Sequence, residues 1–249
     1  MMFMVNFDGI IKEEKEYIDE GKPVVKIFKV STENAKDFAY KAGQFAMISV
    51  DAVKNPTNPA LLKQSAMSIS SSPHEKGYIE FCIRMAGKPE SESVSSWLDN
   101  HGKPGTAIHL RAPFGVFTLT DGADEYVFVA AGTGIAPMMG FIRHLNAEKS
   151  NKKFRLFFGC RNDNDYLYRQ ELEKIAKENK NFGLHTIYSR SDKLGKQGHV
   201  QELLKDYNFG NNLAKSHAYV CGNPQAVVEM MDVLKQKGFP DKNVHEEKW

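Results

Sequence analysis

The stretch VAAGTGIAP, Val129–Pro137, runs from small apolar residues through Gly-Thr-Gly to a proline, and the amphipathic stretch MMGFIRHLNAEK follows it. An apolar run before a glycine turn and an amphipathic run after it are typical of a strand that leads into a helix in a parallel sheet. Gly132 and Gly134 would let the backbone approach an anion, and Pro137 suits the first turn of a helix. The stretch is therefore either a phosphate-binding turn or only a tight connection.

Strand-like runs and helical patterns alternate through the second half of the chain. From Glu125 onward the apolar runs are YVFVAA, FRLFFG, LHTIYS and HAYVCG, and the helical patterns are APMMGFIRHLNAE, YLYRQELEKIAKE, HVQELLKDY and PQAVVEMMDVLKQKG. This alternation predicts a doubly wound parallel α/β sheet with helices on both faces. The carboxyl ends of its strands share one edge, so the polar turns that follow them are expected to converge there.

The first half has a different pattern. Short alternating segments, PVVKIFKV, QFAMISV, YIEFCIRM and AIHLRAPFGVF, are separated by Gly, Pro, Asn and Ser clusters, and one helical piece, SVSSWLDNH, interrupts them. This pattern predicts antiparallel strands that form a small β-barrel. The segment LTDGADE, Leu119–Glu125, has the glycine and acidic residues of an exposed linker, so we predict two domains, 1–120 and 121–249.

Composition argues against several classes of protein. The 249 residues are 41% apolar and 26% charged, and 33 basic residues nearly balance 31 acidic ones, so we expect neither nucleic acid nor an anionic membrane as the main partner. No apolar stretch approaches the roughly 18 residues of a membrane span, and the start lacks a basic leader, so we expect a cytoplasmic protein. Cys82, Cys160 and Cys221 lie far apart and have no spacing that suits a metal or an iron–sulfur cluster.

The order and spacing of several motifs resemble those of the ferredoxin-NADP reductase superfamily. These motifs are GTGIAP, FFGCR with YLYRQELE, SR and CGNP, and MSISSSP and RAPFGVF extend the likeness over most of the chain. The resemblance implies an N-terminal Greek-key antiparallel barrel that binds FAD and a C-terminal α/β domain that binds NAD(P). It also implies the residue roles that follow.

In that family an Arg-x-Tyr-Ser motif holds the flavin, and the matching stretch here is SAMS, Ser65–Ser68. Ser68 takes the place of the serine near flavin N5, whereas Ser65 stands at the arginine position and Met67 at the tyrosine position. A methionine thioether can pack on a flat ring, but a serine cannot supply a guanidinium fork. Lys63 or Arg84 are candidates for the missing charge, and Arg84 could equally be an ordinary solvated strand end.

The segment SVSSWL resembles the family's pyrophosphate-binding loop, with donors from Val94, Ser95 and Ser96. Glu92 replaces the usual glycine and is expected to point to water. The alternative is that Ser93 or Ser95 only caps a short helix.

The chain ends in HEEKW, and some family members end in an aromatic residue that stacks on FAD. The resemblance therefore implies that Trp249 stacks on the flavin or its adenine, and a frayed tail is the alternative.

The resemblance assigns the glycine turn to the NAD(P) pyrophosphate and the CGNP turn to the nicotinamide end. A small, polarizable Cys221 thiol could lie close to nicotinamide C4, or it could be a buried structural cysteine. We expect Cys160 to be structural and Arg161 to contact a phosphate.

Ser189 and Arg190 occupy the place of the residues that bind the 2′-phosphate in NADP-preferring members, which favours NADPH, with NADH possible. The family's Lys-x-Tyr-Val-Gln becomes KQGHVQ here, so Lys196 is shifted. His199 could stack on adenine, or it could merely begin a helix.

The function implied is hydride transfer from NADPH to FAD, followed by single-electron transfer to a separate carrier. The carrier would be a ferredoxin, a flavodoxin or the ferredoxin component of an oxygenase, and KSNKK, Lys149–Lys153, is either its docking patch or a solvated helix end. The alternatives are an NAD(P)H-oxidising flavin subunit of a multicomponent oxygenase or larger redox complex, and a non-catalytic nucleotide-sensing module.

The candidate catalytic residues are Ser68 and Cys221, and no metal site is expected. The candidate cofactor-binding residues are Ser65, Ala66, Met67, Ser68, Ile69, Arg84, Val94, Ser95, Ser96, Gly132, Thr133, Gly134, Pro137, Arg161, Ser189, Arg190, Cys221, Gly222, Pro224 and Trp249.

Overall fold

The computed structural model describes residues 3–210 and 213–248. The chain divides into two compact units between Thr118 and Leu119. The first unit is antiparallel and the second is parallel, as the two sequence patterns predict.

The first unit is a six-stranded antiparallel sheet in the order β4-β3-β6-β1-β2-β5, with one helix, α1. The outer strands meet through a bridge between Ile69 and Phe81 and a 2.8 Å hydrogen bond from the Ser70 N–H to the Glu80 carbonyl, so the sheet is nearly closed into the predicted barrel. The elements are β1 Val5–Asp19, β2 Lys22–Ser31, β3 Phe45–Ser49, β4 Ser65–Ser68, β5 Tyr78–Arg84, α1 Val94–His101 and β6 Ala107–Phe114.

The longest strand of the barrel, β1, was not among the predicted segments. Its sequence, VNFDGIIKEEKEYID, loses apolar alternation after Ile11, where Lys and Glu dominate. The first part of the strand, Val5–Ile10, pairs with β6, whereas Ile11 and the part from Glu13 onward pair with β2. A strand with one neighbour can expose charged side chains, and this removes the periodicity that sequence reasoning needs.

The second unit is a five-stranded parallel sheet in the order β11-β10-β7-β8-β9. Alternate residues of β7 face opposite sides: Val129 packs among residues of α4 and α5, whereas Phe128 stacks on Phe141 of α2 at 5.4 Å between ring centroids. Helices therefore cover both faces. The elements are β7 Glu125–Ala131, α2 Ile135–Ala147, β8 Lys153–Cys160, α3 Arg169–Glu178, β9 Phe182–Tyr188, α4 Val200–Asp206, β10 Ser216–Gly222, α5 Pro224–Gln236 and β11 Val244–Lys248.

The final strand, β11, includes the HEEK segment that precedes Trp249. Val244–Lys248 pairs in parallel with β10, with His245 opposite Tyr219. The His245 ring stacks on Tyr219 at 4.6 Å, and its Nε2 lies 3.0 Å from Nδ1 of His217. Only Val244 of this strand is buried, so the sequence has no apolar run to reveal it.

The histidine pair makes the stability of the β10–β11 edge depend on pH. Burial lowers the pKa of both His217 and His245 below the ordinary 6.5. Each histidine binds a proton less readily in the folded protein than in the unfolded chain, so its contribution to the free energy of unfolding is fully present above pH 6.5. That contribution is lost as the pH falls from 6.5 toward the lower pKa of the folded state, because the unfolded chain is protonated first. We expect His245→Phe, which keeps a stacking ring, to show a smaller loss of Tm than wild type between about pH 7.5 and about pH 5. Parallel Tm curves for the two proteins would contradict this.

Candidate functional site

Two positions in the turn after β7 require glycine, Gly132 because of its backbone conformation and Gly134 because there is no room for a side chain. Gly132 has a φ of 56°, in the left-handed region. A Cβ on Gly134 would lie 2.2 Å from the carbonyl oxygen of Cys221 and 2.8 Å from the amide nitrogen of Gly222. Gly134 is therefore required by contact with the end of β10, a reason that the sequence did not reveal. Pro137 lies in the first turn of α2, as expected.

The other predicted turns meet at the same edge of the sheet. The Ser189 N–H donates to the carbonyl of Cys160 at 2.9 Å, and the Arg190 N–H donates to the carbonyl of Arg161, also at 2.9 Å. The ends of β8 and β9 are thereby joined, just as the ends of β7 and β10 are joined through Gly134. The carboxyl edge thus presents four adjacent turns, which is the position where open parallel sheets bind ligands.

Arg161 has a protein partner that the sequence analysis overlooked. Its Nε donates to Oδ2 of Asp165 at 3.0 Å and its Nη2 to Oδ1 at 3.3 Å, and Asp165 is 1% exposed. The guanidinium is thus neutralised by a buried carboxylate four residues along the chain. The expected phosphate contact would have to share this ion pair.

Arg190 differs from Arg161 because its side chain is exposed. Its guanidinium has no hydrogen bond or ion pair with any residue in the described ranges 3–210 and 213–248. Ser189 is half-buried, and its carbonyl accepts a 3.0 Å hydrogen bond from the side-chain amide of Gln197. The backbone at this turn is therefore fixed, while the arginine side chain is available to a ligand.

A charged cluster beside this turn was missed by sequence reasoning. Asp163 accepts hydrogen bonds from the Tyr188 hydroxyl at 2.7 Å, from Lys193 at 2.8 Å and from Arg169 at 3.0 Å. The bond from Lys193, followed by that from Tyr188, holds the pKa of Asp163 below its usual range. Arg169 also pairs with Glu173 at 2.8 Å, so two cations and two carboxylates balance in this cluster. The acidic NDND segment after GCR was the available signal.

His199 is the N-cap of α4, where its backbone N–H donates to Glu202 at 3.1 Å. This agrees with the alternative in which His199 begins a helix, whereas its stacking on adenine stays a prediction. Lys196 is paired with Asp206 at 2.9 Å and Glu202 at 3.4 Å.

The cysteines at the strand ends are buried. Cys221 is 0% exposed, so contact between its thiol and a ligand requires neighbouring atoms to move. Burial, reinforced by Asp165 and Asp163, raises the pKa of the Cys160 thiol, which keeps it protonated and agrees with a structural role.

Pro224 is the first residue of α5, and the Asn223 side chain caps that helix by accepting from the Ala226 N–H at 3.0 Å.

In the first unit, the SAMS stretch is strand β4, and the segment after it is firmly held. Ser65, Met67 and Ser68 are half-buried, Ala66 is exposed and Ile69 is fully buried. The Ser70 hydroxyl donates to the buried Glu80 carboxylate at 2.8 Å, and the Ser71 hydroxyl accepts from the Glu80 N–H at 3.0 Å. These bonds to β5 fix the position of the chain that follows Ser68.

The helix α1 begins with a serine cap. The Ser93 hydroxyl accepts from the Ser96 N–H at 3.4 Å and lies 2.9 Å from the Ser95 hydroxyl, while the Ser96 hydroxyl accepts from the Lys88 N–H at 3.1 Å. Ser93 is therefore the cap that the alternative interpretation predicted. The hydroxyls are engaged within the protein, but the first N–H groups of a helix have no intrahelical acceptor and can bind an anion.

Lys63 and Arg84, the two candidates to replace the family's arginine at position 65, lie in different places. The Lys63 ammonium donates to the carbonyl of Glu92, two residues before α1 begins. Arg84 ends β5, is half-buried and has no side-chain hydrogen bond or ion pair among the described residues. Glu92 itself is exposed, as expected. Trp249 lies outside the described residues, so its predicted stacking stays a prediction.

Comparison with known proteins identifies the class. Residues 18–119 match the model of an oxidoreductase FAD-binding domain, and residues 128–233 match that of an oxidoreductase NAD-binding domain. The protein is thus a flavin oxidoreductase with FAD-binding and NAD(P)-binding domains. The chain belongs to the ferredoxin-NADP reductase superfamily, which confirms the resemblance seen in its motifs.

Curated proteins that are similar to this chain include F subunits of Na(+)-translocating NADH-quinone reductases. The Pseudomonas aeruginosa protein is 30% identical over 191 residues, which is 72% of this chain and 47% of that protein. The Serratia proteamaculans protein is 25% identical over an alignment covering 95% of this chain and 67% of that protein. The chain therefore spans about half the length of several of the curated relatives it matches.

Solved structures share the fold at lower identity. The Amycolatopsis cytochrome P450 reductase GcoB superposes with a TM-score of 0.82 at 20% identity, covering 100% of this chain and 71% of that one. A ferredoxin NADP+ reductase from Neisseria gonorrhoeae with bound FAD and NADP gives 0.79 at 16% identity, with 98% of both chains covered. Within the described residues, every helix is too short or too polar to traverse a bilayer.

The contact of Gly134 with β10 yields a matched pair of variants. Gly134→Ala places a methyl group into the backbone of Cys221, whereas a Cβ on Gly222 would meet its nearest neighbours at an ordinary 3.5 Å. We expect Gly134→Ala to lower the free energy of unfolding by about 2 kcal/mol or more, and Gly222→Ala to cost well under about 1 kcal/mol. Chemical denaturation measures both values. Equal losses would show that the close contact does not determine the residue at position 134.

Proposed function

We propose that this protein oxidises NADPH with FAD and passes the electrons singly to a separate carrier, such as a ferredoxin or a flavodoxin. When bound, FAD supplies the chemistry, because it accepts a hydride and can release electrons one at a time. The exposed guanidinium of Arg190, without a protein partner among the described residues, is the observation that supports NADPH. The three cysteines are buried and far apart in the sequence, so the proposal assigns the one-electron carrier to another molecule.

On the flavin side, the chain's own groups fit a bound dinucleotide. The first N–H groups of α1, together with the Lys63 ammonium at Glu92, offer positive charge to a pyrophosphate where Ser65 cannot. Met67 offers a half-buried thioether to a flat ring, and Ser68 offers a hydroxyl near its reactive edge. Arg84 adds a second cation at the end of β5.

On the nucleotide side, the four turns at the carboxyl edge would bind NADPH and orient it. The turn at Gly132 and Thr133 would hold the pyrophosphate, and Ser189 with Arg190 would hold a 2′-phosphate. Cys221, Gly222 and Pro224 would border the nicotinamide, once the atoms that cover the Cys221 thiol have moved. The protein thus contributes position and charge, and no general base is needed.

The carrier would meet an exposed basic surface. Lys149 and Lys153 are exposed near the end of α2, whereas Lys152 lies 3.7 Å from Asp124. Small electron carriers are usually acidic, and complementary charge speeds such encounters.

A second candidate is an NADH-oxidising flavin subunit of a larger redox complex. The 30% identity with the F subunit of an NADH-quinone reductase favours it. A non-catalytic nucleotide sensor is the remaining alternative.

The visible spectrum of purified protein tests the central proposal. We expect FAD uptake with flavin absorption bands, and bleaching of those bands on anaerobic addition of NADPH. Absence of FAD uptake would overturn the reductase, and uptake without bleaching by NADPH or NADH would favour the sensor. Bleaching by NADH alone would favour the second candidate.

Arg190→Ala tests the choice of nucleotide. Losing a guanidinium that binds the 2′-phosphate should raise the KM for NADPH by about tenfold or more and change the KM for NADH by less than about twofold. Lys177→Ala, an exposed lysine on α3, is the control and should change neither. Equal effects of Arg190→Ala on both nucleotides would refute the phosphate contact.

A further inference from the structure

Lys26 on β2 is a charged side chain held inside the barrel unit, with only 1% of its surface exposed. Its ammonium donates to the Glu14 carboxylate at 3.0 Å and lies 2.8 Å from the Glu16 carboxylate, both on β1. It also donates to the backbone carbonyl of Asp99 at 2.6 Å and lies 3.2 Å from the Asp99 carboxylate, on α1. One ammonium therefore joins β1, β2 and α1.

The three carboxylates keep this lysine charged. Desolvation alone would favour the neutral amine, but the hydrogen bonds to Glu16, Glu14 and Asp99 outweigh it and raise the pKa of Lys26. On the exposed side, Lys103 pairs with Glu14 at 3.0 Å and with Glu16 at 3.7 Å. Removing Lys26 would leave carboxylates close together with too little compensating charge.

The contact with α1 is made at the carboxyl end of the helix. The carbonyl of Leu98 accepts from the Gly102 N–H, whereas the Asp99 carbonyl, one of the last four of the helix, accepts from Lys26. A cation is favourable at this end of a helix dipole. Lys26 therefore acts as a C-terminal cap that comes from a different element of the unit.

A second pair of bonds holds the segment before α1. Glu90 accepts from the Asn100 side-chain amide at 2.6 Å and lies 2.8 Å from Nε2 of His101. The last turn of α1 is thus tied both to the barrel strands and to the segment before the helix, while the first turn, Val94–Ser96, contains the proposed phosphate donors. An eight-residue helix is a rigid rod of roughly 12 Å, so fixing one end sets the direction of the other.

We propose that Lys26 is a positioning residue for the flavin: by holding the carboxyl end of α1, it aims the N–H groups of Val94 and Ser95 at the amino end toward the FAD pyrophosphate. This inference rests on the FAD site proposed above. A well-packed apolar residue could stabilise the same contact, but it could not fix the rotation of α1 through directed bonds to three carboxylates and a carbonyl.

The experiment compares FAD with riboflavin, which has the flavin ring but no pyrophosphate. Lys26→Met keeps the length of the side chain and removes its charge. We expect it to weaken FAD binding by the deflavinated protein about tenfold and riboflavin binding by less than about twofold, as measured by flavin fluorescence quenching. Lys29→Met is the matched control, because Lys29 lies on the same strand, pairs with Glu13 at 2.8 Å and makes no hydrogen bond or ion pair with α1 among the described residues.

The outcomes distinguish a failure of the positioning role of Lys26 from a failure of the proposed FAD site. An unchanged ratio of FAD to riboflavin affinity in Lys26→Met, or an equal loss for both ligands, would overturn the positioning role, because general destabilisation does not single out the pyrophosphate. If Lys26→Met does not fold, Asp99→Ala, which removes one carboxylate and keeps the carbonyl, decides by the same ratio. Wild-type protein that binds neither ligand would overturn the FAD site itself.

Discussion

The backbone contact between Gly134 and the Cys221–Gly222 peptide holds together the edge of the second unit on which every proposed nucleotide contact depends. β7 and β10 are neighbours in the parallel sheet, and the turn that leaves β7 must cross the end of β10 with no side chain between them. The contact closes one half of the edge, and the hydrogen bonds between the ends of β8 and β9 close the other half. The four turns are therefore one surface rather than four separate loops.

The barrel unit reaches a comparable rigidity by another route. Its helix is anchored by charge, through Lys26 and three carboxylates, and its serine-rich segment after β4 is anchored by the buried Glu80. Directed polar bonds inside an otherwise apolar core favour one arrangement over near alternatives, because any shift leaves a buried group unsatisfied. In the proposed FAD site, Ser65 stands where the family has an arginine, so phosphate binding there would depend more strongly on the placement of α1 and Lys63.

Sequence reasoning found the elements that have strong periodicity and failed at charged or local features. The parallel strands β7 to β10 are apolar runs between clear helical patterns, and the GTG and CGNP turns at their ends were recognised in advance. β11 and the distal part of β1 were missed because they have few neighbours and expose charged side chains. The buried ammonium of Lys26 contradicts the usual exposure of lysine, and only tertiary partners explain it. The Arg161–Asp165 pair could have been predicted from the sequence, because a spacing of four residues between opposite charges is a recognisable local pattern.

The direction of β11 has a practical consequence. The strand runs parallel to β10, with Lys248 opposite Gly222, so the chain leaves the sheet at the edge that carries the proposed nucleotide turns. A purification tag or fluorescent fusion joined directly after β11 would start there and would compete with ligand for space.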